Sequence, residues 1–365
     1  MHDERDPQPP ADPAAPEPPA AESPSLSVPA PDDPAPEALS QLGEREHADA
    51  VGDDYSGPEL LLAGGRDDDW RTISAQDVRG CLEPPAERDN KYRRGVVLLA
   101  TGSATYPGAA VLSAEAACRA GAGMVRYSGP ERAANAVLAV RPEVVHGFGR
   151  FDALVIGSGI PDGHDDERAA LYRSALKTGQ PIVVDAGGLT LVEPGCERLV
   201  ITPHAAELAA LLDRLGLARL DADEIAESAG EAAAEAARLL GCTVLLKGRH
   251  TYVVDGDERL HVRSPNSWLA TAGTGDVLAG ILGTVLAARR ARGDDRHHGR
   301  SAAAAAWLHA RAGWLASQRN AGLEVAPSSV HAPSLMLDHG PLGGPVLASD
   351  VAAAMPGVIA AVLAK

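Results

Sequence analysis

This sequence of 365 residues has little cysteine, no long apolar run and no excess of positive charge. The four cysteines (Cys81, Cys118, Cys196 and Cys242) are scattered without C-x-x-C spacing, which excludes a zinc site or a disulfide framework and favours a reducing cytoplasm. No uninterrupted apolar run is long enough to span a membrane. The N-terminus has neither a basic start nor an apolar core, so we expect no signal peptide and a cytoplasmic location.

The formal net charge of −17 is concentrated in the N-terminal part of the chain. Residues 1–60 hold 15 acidic and 2 basic residues, whereas the remainder holds 35 acidic and 31 basic residues and is nearly neutral. Because a nearly neutral domain offers no basic field to a phosphate backbone, we expect no nucleic-acid partner.

Proline distinguishes the same N-terminal segment. Twelve of the 28 prolines lie in residues 1–36, interleaved with Ala, Asp and Glu and with almost no large apolar side chain. Such a segment cannot bury enough apolar surface to offset the entropy that it would lose on ordering. We therefore predict a disordered, acidic, Pro/Ala-rich tail over residues 1–57 and one folded domain over residues 58–365.

From about residue 58 onward, short apolar runs alternate with helical patterns. Unbroken apolar runs are typical of strands that are covered on both faces, and a hairpin around Gly256-Asp257 follows the last of these runs. The predicted strands span residues 95–101, 124–127, 152–156, 181–185, 199–202 and 242–247. This alternation predicts an α/β fold with a mostly parallel central sheet.

In such sheets, ligands bind beyond the carboxyl ends of the strands. Nearly every glycine-rich or polar cluster of this sequence follows a predicted strand. These clusters are residues 102–108, 157–159, 185–188, 202–204 and 247–251. We therefore expect loops from distant parts of the chain to converge on one rim. The first of these loops matches neither the P-loop nor the G-x-G-x-x-G signature, and we interpret it as a strand-to-helix turn.

Residues 269–280 are the strongest candidate site. Gly273 and Gly275 allow close approach to the backbone, and the amides that follow open a helix whose N-terminus can hold phosphate. Asp276 would repel a phosphate, but it is well placed as a general base for a hydroxyl that attacks phosphorus. A glycine turn capped by Asp276 explains the same residues, so both interpretations stay open at this point.

Two further segments have both a functional and a purely structural interpretation. Lys247 at a strand end can reach a phosphate and Thr251 can donate a hydroxyl, but a surface hairpin can also begin in this way. Thr202 is a candidate helix cap, with Pro203 next and Glu207 as a favourable first-turn charge. That structural interpretation needs nothing from His204, which can contact a ligand or carry a proton.

Taken together, these segments resemble the ADP/ATP-dependent NAD(P)H-hydrate dehydratase family of the ribokinase-like superfamily. The resemblance runs from about Trp70 to the C-terminus and implies a ribokinase-like three-layer sandwich. The matching segments are residues 89–95, 107–110, 119–123, 157–159, 184–186, 202–204 with Glu207, 246–248 with Thr251, and 268–277.

This family uses a nucleotide, typically ADP in bacteria, to phosphorylate the ring hydroxyl of hydrated NADH or NADPH, and elimination of phosphate then regenerates the coenzyme. The resemblance therefore implies NADHX or NADPHX and ADP or ATP as small-molecule partners, Mg²⁺ as a cofactor and a homo-oligomer. It makes Asp276 the general base, beside an anion hole formed by Gly273, Thr274 and Gly275.

The resemblance also implies the remaining binding residues. The nucleotide would be held by Lys247, Gly248, Arg249, His250, Thr251 and Gly275. The hydrated coenzyme would lie against Ala109, Ala110, Gly159, His204 and Asp276. Glu207 would act on magnesium through a water molecule.

The sequence departs from the family at two positions and in one domain. The family usually has Pro where Ser158 stands and Gly where Ala206 stands, and we interpret both changes as loop adjustments that supply no chemistry. The epimerase domain that is often fused to this family has no room in the short, proline-rich residues 1–57. We therefore expect the dehydratase alone.

Two other functions fit the same phosphate-binding residues. A ribokinase-like kinase for a vitamin or sugar alcohol would use the same base and anion hole but release a stable phosphate ester. Thiazole kinases typically carry Cys where Asp276 stands, and sugar kinases more often show an Asp-x-x-Gly-Ala-Gly-Asp motif. A non-catalytic nucleotide-binding protein needs no base, so Lys247 and Asp276 together argue against it. The dehydratase is the favoured hypothesis.

Overall fold

A ten-stranded sheet lies at the centre of the computed structural model, which describes residues 69–160, 166–196, 198–294, 296–331 and 343–364. The predicted tail over residues 1–57 lies outside these ranges. The strands are β1 (Arg71–Thr72), β2 (Val96–Ala100), β3 (Met124–Tyr127), β4 (Val145–His146), β5 (Ala153–Ile156), β6 (Ile182–Val184), β7 (Leu199–Ile201), β8 (Thr243–Leu246), β9 (His250–Asp255) and β10 (Glu258–Arg263). The helices are α1 (Ala75–Arg79), α2 (Pro107–Arg119), α3 (Glu131–Val140), α4 (Asp166–Leu176), α5 (Ala205–Arg214), α6 (Ala222–Glu227), α7 (Ala229–Leu240), α8 (Thr274–Ala291), α9 (His298–Asn320) and α10 (Ala348–Leu363).

The order of the strands across the sheet is β1-β10-β9-β8-β7-β6-β5-β2-β3-β4. Strand β9 is antiparallel to both of its neighbours, β8 and β10, and the other strand pairs are parallel. The mostly parallel sheet and the hairpin around Gly256-Asp257 are therefore confirmed. Because strands β2 and β5 to β8 all run in one direction, their carboxyl ends lie along one edge of the sheet.

Each face of the sheet has its own apolar core, because successive side chains of a strand point to opposite faces. In β2, Val97 and Leu99 join the core beneath α1, α2, α3, α8, α9 and α10. Val96 and Leu98 of the same strand join the core beneath α4, α5, α6 and α7. Helices therefore cover both faces, which confirms the three-layer sandwich and explains why the strands are unbroken apolar runs.

The structure adds several elements that we did not predict from the sequence. These are the short edge strands β1 and β4 and the helices α1, α3, α4, α6 and α7. Helix α7 is rich in alanine, and it buries a face of small side chains that ends in Leu240. Among the described helices, none combines the length and the apolar character that crossing a membrane requires.

Helix α8 lies directly on its neighbours because Gly280 and Gly283 have no side chains. A Cβ added at Gly283 would lie 2.3 Å from Val155 Cγ2 and 3.0 Å from Val97 Cγ2 in the sheet. A Cβ added at Gly280 would lie 2.3 Å from the carbonyl oxygen of Ser113 in α2. These contacts leave no space for a larger residue, so they fix the position of α8 over β2 and β5.

We expect Gly283→Ala to destabilise the protein, although alanine favours a helix by about 1 kcal/mol over glycine. The added methyl group has to displace Val155 or move the helix, which costs about 1–3 kcal/mol in a close-packed core. Urea denaturation measures the difference in the free energy of unfolding.

Gly108→Ala is the matched control, because a Cβ at Gly108 in α2 would meet no atom within 4 Å. This variant should be as stable as the wild type or slightly more stable. Equal effects of the two substitutions would contradict the close packing of α8.

Candidate active site

A cavity of about 610 Å³ opens at the carboxyl ends of the parallel strands. Its polar wall includes Asp185 after β6, Lys247 after β8 and Asp276 at the start of α8. Its apolar wall includes Val262 and Leu269. The structure therefore brings together residues from distant parts of the chain, at the edge where the sequence predicted a rim.

The residues of the predicted anion hole lie at the start of α8. Gly273 precedes the helix with a φ of 87°, in the left-handed region that glycine adopts without strain. The first amides of an 18-residue helix have no partner within the helix, and the helix dipole adds positive potential at this end. The Thr274 hydroxyl shares its proton between the carbonyl oxygens of Leu269 and Thr271 (2.8 and 2.9 Å), and the Thr274 N–H donates to the Thr271 carbonyl oxygen at 3.3 Å. Thr274 therefore holds the loop in place, and the amides that follow it remain for an anion.

Asp276 follows this glycine turn as a largely buried carboxylate. Burial raises the pKa of Asp276 to about 6, and the negative charge of Asp185 acts in the same direction. The nearby Ser158 hydroxyl and the charge of Lys247 oppose this rise. Asp276 is thus mostly ionised at pH 7 yet has a higher proton affinity than an exposed carboxylate, which suits a general base.

The neighbouring Asp185 is buried but surrounded by donors. The Lys247 ammonium lies 2.7 Å from Asp185 Oδ1, and the Thr202 hydroxyl donates to the same oxygen at 2.8 Å. The Ser158 hydroxyl donates to Asp185 Oδ2 at 3.1 Å. Burial favours the neutral form, but Lys247 and these hydroxyls outweigh it and hold the pKa of Asp185 below its usual range.

Lys247 lies between two carboxylates. Its Nζ is 2.7 Å from Asp185 Oδ1 and 3.4 Å from Glu207 Oε2. Burial alone would lower the pKa of Lys247, but the two negative charges raise it, so the side chain stays an ammonium. An ammonium has three donors, and two acceptors leave a third donor for an anion in the cavity that Lys247 lines.

His204, and not Thr202, is the cap of helix α5. His204 Nδ1 accepts a hydrogen bond from the Glu207 backbone N–H (3.3 Å), and the Glu207 carboxylate accepts one from the His204 N–H (2.8 Å). The prediction that Thr202 caps the helix is therefore wrong. The Thr202 hydroxyl donates to Asp185 instead, because the strand end turns it towards that carboxylate.

Most of the predicted site residues line the cavity, whereas five lie elsewhere. Those that line the cavity are His204, Lys247, Gly248, Arg249, Thr251, Gly273, Thr274, Gly275 and Asp276. Ala109 packs on Gly159, where a Cβ would lie 2.5 Å from Ala109 Cβ, and Ala110 packs on Gly102, where a Cβ would lie 2.6 Å from Ala110 Cβ. His250 points elsewhere, with its ring stacked on that of His261 at 5.2 Å between centroids. Glu207 contacts Lys247, with 3.4 Å between Oε2 and Nζ, but it does not line the cavity.

Sequence reasoning missed two buried polar residues of this site. The interpretation of Ser158 as a loop adjustment was incomplete, because its hydroxyl bonds to Asp185. A serine between two glycines at a strand end was the only local signal. His309 lies in the alanine-rich helix α9 and lines the cavity, and burial lowers its pKa to about 4, so its ring is neutral.

A comparison with protein families matches residues 97–333 to the NAD(P)H-hydrate dehydratase family. The ADP-dependent (S)-NAD(P)H-hydrate dehydratase of Neisseria meningitidis is 34% identical over 273 residues, which cover 67% of this chain and 86% of that protein. The bifunctional NAD(P)H-hydrate repair enzyme of Mycobacterium tuberculosis is 40% identical over 234 residues, covering 59% of this chain and 46% of that protein. The chain thus spans about half the length of such bifunctional relatives.

Solved structures support the fold. An ADP/ATP-dependent NAD(P)H-hydrate dehydratase from Bacillus subtilis, co-crystallised with ATP/Mg²⁺, matches 78% of this chain and 95% of its own with a TM-score of 0.62 and 22% identity. A ribokinase-like superfamily protein from Enterococcus faecalis matches 83% of this chain and 100% of its own, with a TM-score of 0.63 and 22% identity. At this identity the likeness shows the ribokinase-like fold.

We expect Asp276→Asn to raise the free energy of unfolding at pH 7–8. The pKa of Asp276 is about 6 in the folded protein against an ordinary 3.8, so at neutral pH the folded state holds a carboxylate that burial disfavours. This shift corresponds to about 2–3 kcal/mol. The gain should shrink as the pH falls from 6 to 4, where the wild-type carboxyl takes up its proton. Urea denaturation across this range measures it.

Asp185→Asn is a control for which we expect the opposite change in the free energy of unfolding. Because the folded state keeps the pKa of Asp185 low, its ionised form stabilises the protein at neutral pH, and the amide should lower stability there. A gain from Asp276→Asn that does not change with pH would contradict the assigned burial of that carboxylate.

Proposed function

Since the chain belongs to the NAD(P)H-hydrate dehydratase family, we propose that it returns hydrated NADH or NADPH to the intact coenzyme with ADP or ATP as co-substrate. The observation that carries this proposal is the position of Asp276. A carboxylate with raised proton affinity lies in the first turn of a helix whose N-terminus is suited to hold an anion, beside a buried ammonium. This arrangement suits transfer of a phosphoryl group to a hydroxyl.

Phosphorylation solves the chemical problem of this dehydration. Hydroxide is a poor leaving group, whereas phosphate leaves readily. In the first step the ring hydroxyl forms a bond to the terminal phosphorus of the nucleotide, the bond from that phosphorus to the leaving phosphate oxygen breaks, and the hydroxyl proton passes to Asp276. In the second step the carbon–oxygen bond breaks, phosphate leaves with its electron pair, and loss of a ring proton restores the double bond.

The nucleotide would enter along the polar wall of the cavity. Lys247 supplies its free donor to a phosphate oxygen, and the amides of Gly275 and its neighbours hold the transferred group as charge develops. Gly248, Arg249 and Thr251 line the same cavity and would hold the rest of the nucleotide. The apolar wall formed by Val262 and Leu269 suits a flat base.

The hydrated coenzyme would approach from the side of His204. This residue lines the cavity, and because Nδ1 accepts the capping bond, Nε2, which lies 3.6 Å from Glu207 Oε1, is the ring nitrogen that can donate to a ligand. Gly159 is half-buried beside Ala109 and would offer backbone to a flat ring, whereas the fully buried Ala110 would contribute only by packing beneath this loop. Of the predicted binding residues, His250 is the one that the structure supports least as a ligand contact, because its ring stacks on His261 and does not line the cavity.

Magnesium is a proposed cofactor, and Glu207 would hold it. Mg²⁺ prefers oxygen ligands and keeps several waters, so one protein carboxylate together with nucleotide phosphates suits it. The described residues contain no cluster of three acidic, histidine or cysteine side chains placed to hold a metal directly, and Glu207 would therefore act through water. When bound, the ion would neutralise phosphate charge during transfer.

A coupled absorbance assay tests the function. Purified protein is incubated with hydrated NADH or NADPH, Mg²⁺ and either ADP or ATP, and the absorbance of the reduced nicotinamide is followed. Recovery that requires a nucleotide supports the dehydratase and identifies the donor. Absence of recovery in protein that binds ADP would overturn it and direct attention to the alternative, a kinase for a vitamin or sugar alcohol.

We expect Asp276→Asn to bind ADP with nearly wild-type affinity but to lose about 10²–10⁴-fold in turnover, because an amide cannot accept the hydroxyl proton. In the wild type, kcat/KM should fall below about pH 6, as Asp276 becomes protonated. Steady-state rates from pH 5 to 8 and calorimetric titration with ADP measure the two properties.

Asp223→Asn is the control, since Asp223 is exposed on α6 and the change from acid to amide is the same. It should keep wild-type turnover. Turnover of Asp276→Asn close to that of this control would remove Asp276 from the mechanism.

A further inference from the structure

His309 is a buried polar residue of the cavity that the proposed mechanism does not use. It lies in the middle of α9, is only 8% exposed and lines the cavity. Its Nε2 is shielded from solvent and has no hydrogen-bond partner among the described residues. A buried polar atom without a partner costs free energy, and most such atoms in proteins are paired. His309 is therefore a candidate for a contact with a ligand.

The surface around His309 is apolar. Ala306 and Ala310 lie on the same side of α9 and line the same cavity. Leu269, from the loop before α8, and Leu278, from α8 itself, line it as well. A flat, apolar surface with one polar group set in it suits a flat ring that has polar atoms along its edge.

Leu269 joins this surface to the start of α8. Its side chain packs on α9, since a Cβ on Gly313 would lie 2.5 Å from Leu269 Cδ2. Its carbonyl oxygen accepts the hydrogen bond from the Thr274 hydroxyl at 2.8 Å. A nucleotide with its phosphates at the start of α8 can therefore place its base against α9.

We propose that His309 binds the base of the nucleotide, through a hydrogen bond between Nε2 and the edge of that base. This inference rests on the proposed function for the identity of the ligand as ADP or ATP. Because Nε2 is shielded, the contact requires a rotation of the ring, and the outer torsion of a histidine side chain has broad minima that allow it.

The charge of the ring favours a base over a phosphate group. Burial lowers the pKa of His309 to about 4, so at pH 7 the ring is neutral, with one donor and one acceptor nitrogen. Phosphate oxygens only accept, and charged donors and helix N-termini hold them more strongly, as Lys247 and the start of α8 would do here. The edge of a base offers donors and acceptors, which a neutral imidazole can match.

Calorimetric titration of the full chain with ADP and with ribose 5-diphosphate, which lacks the base, tests the proposal. His309→Leu removes both ring nitrogens and should weaken ADP binding about 3–10-fold, the range of one neutral hydrogen bond. The affinity for ribose 5-diphosphate should stay that of the wild type. His309→Gln, whose amide offers a donor and an acceptor, should regain part of the affinity for ADP.

His146→Leu is the matched control, because His146 is exposed in β4 at the edge of the sheet and the exchange of side chains is the same. It should bind both ligands as the wild type does. Equal ADP affinities of His309→Leu and this control would overturn the proposal. An equal loss for ADP and ribose 5-diphosphate in His309→Leu would also overturn it, since the base would then play no part.

A second measurement uses the wild-type chain and does not depend on the folding of His309→Leu. Proton–nitrogen NMR spectra of the histidine rings should show the Nε2 signal of His309, assigned by its absence in His309→Gln. This signal should shift on addition of ADP but not of ribose 5-diphosphate. A signal that ADP leaves unshifted would overturn the proposal.

The proposed function and this inference fail in different ways. If the wild type binds ADP but shows no dehydratase activity, the proposed function fails alone, and the binding measurements still decide the role of His309. If dehydratase activity is present and ADP binding is the same with and without the His309 ring, this inference fails alone. If the wild type binds no nucleotide, both fail.

Discussion

A buried ammonium between two carboxylates holds the strand ends of this protein together. Lys247 contacts Asp185 after β6 and Glu207 in α5, and these three charges come from segments that meet only in the folded chain. Burying such ions is costly unless each has a close partner. Because Lys247 neutralises Asp185, a third carboxylate, Asp276, can lie nearby with its pKa raised only to about 6.

The same region also depends on close backbone contacts that only glycine allows. Gly283 and Gly280 allow α8 to lie on the sheet and on α2, and Gly273 turns the chain so that the helix begins at the strand ends. The packing of Gly280 and Gly283, about two to three helical turns along α8, thus sets the position of the predicted anion hole. Charges and glycines therefore act together. The glycines bring the N-terminus of α8 close to Lys247, and the positive charge of Lys247 lowers the cost of burying the carboxylates there.

The parts of this protein that the sequence predicted are those that local patterns encode. Unbroken apolar runs predicted the central strands, and the dipeptide Gly256-Asp257 predicted the hairpin. Residues 273–276 predicted the glycine turn that begins α8, and the anion hole there stays a prediction. The hydrogen bonds around Asp185 could not be predicted, since its partners Ser158, Thr202 and Lys247 are 27, 17 and 62 residues away in the chain. Helices α1, α3, α4, α6 and α7 were not predicted, although the apolar residues of α3 and α7 recur on one helical face as clearly as those of the predicted helix α5, so for these two the signal was present in the sequence. The predicted cytoplasmic location, homo-oligomer and disordered tail stay predictions.

The wide sheet of this protein ends in very short strands. The described outer strands, β1 and β4, contain two residues each, whereas the strands between them contain three to six. Unpaired edge strands invite other chains to add a strand, which leads to aggregation when the edge is long and flat. Two residues present too few backbone groups for such pairing. Copies of this chain that associate would therefore do so through side-chain surfaces and not by continuing the sheet from these strands.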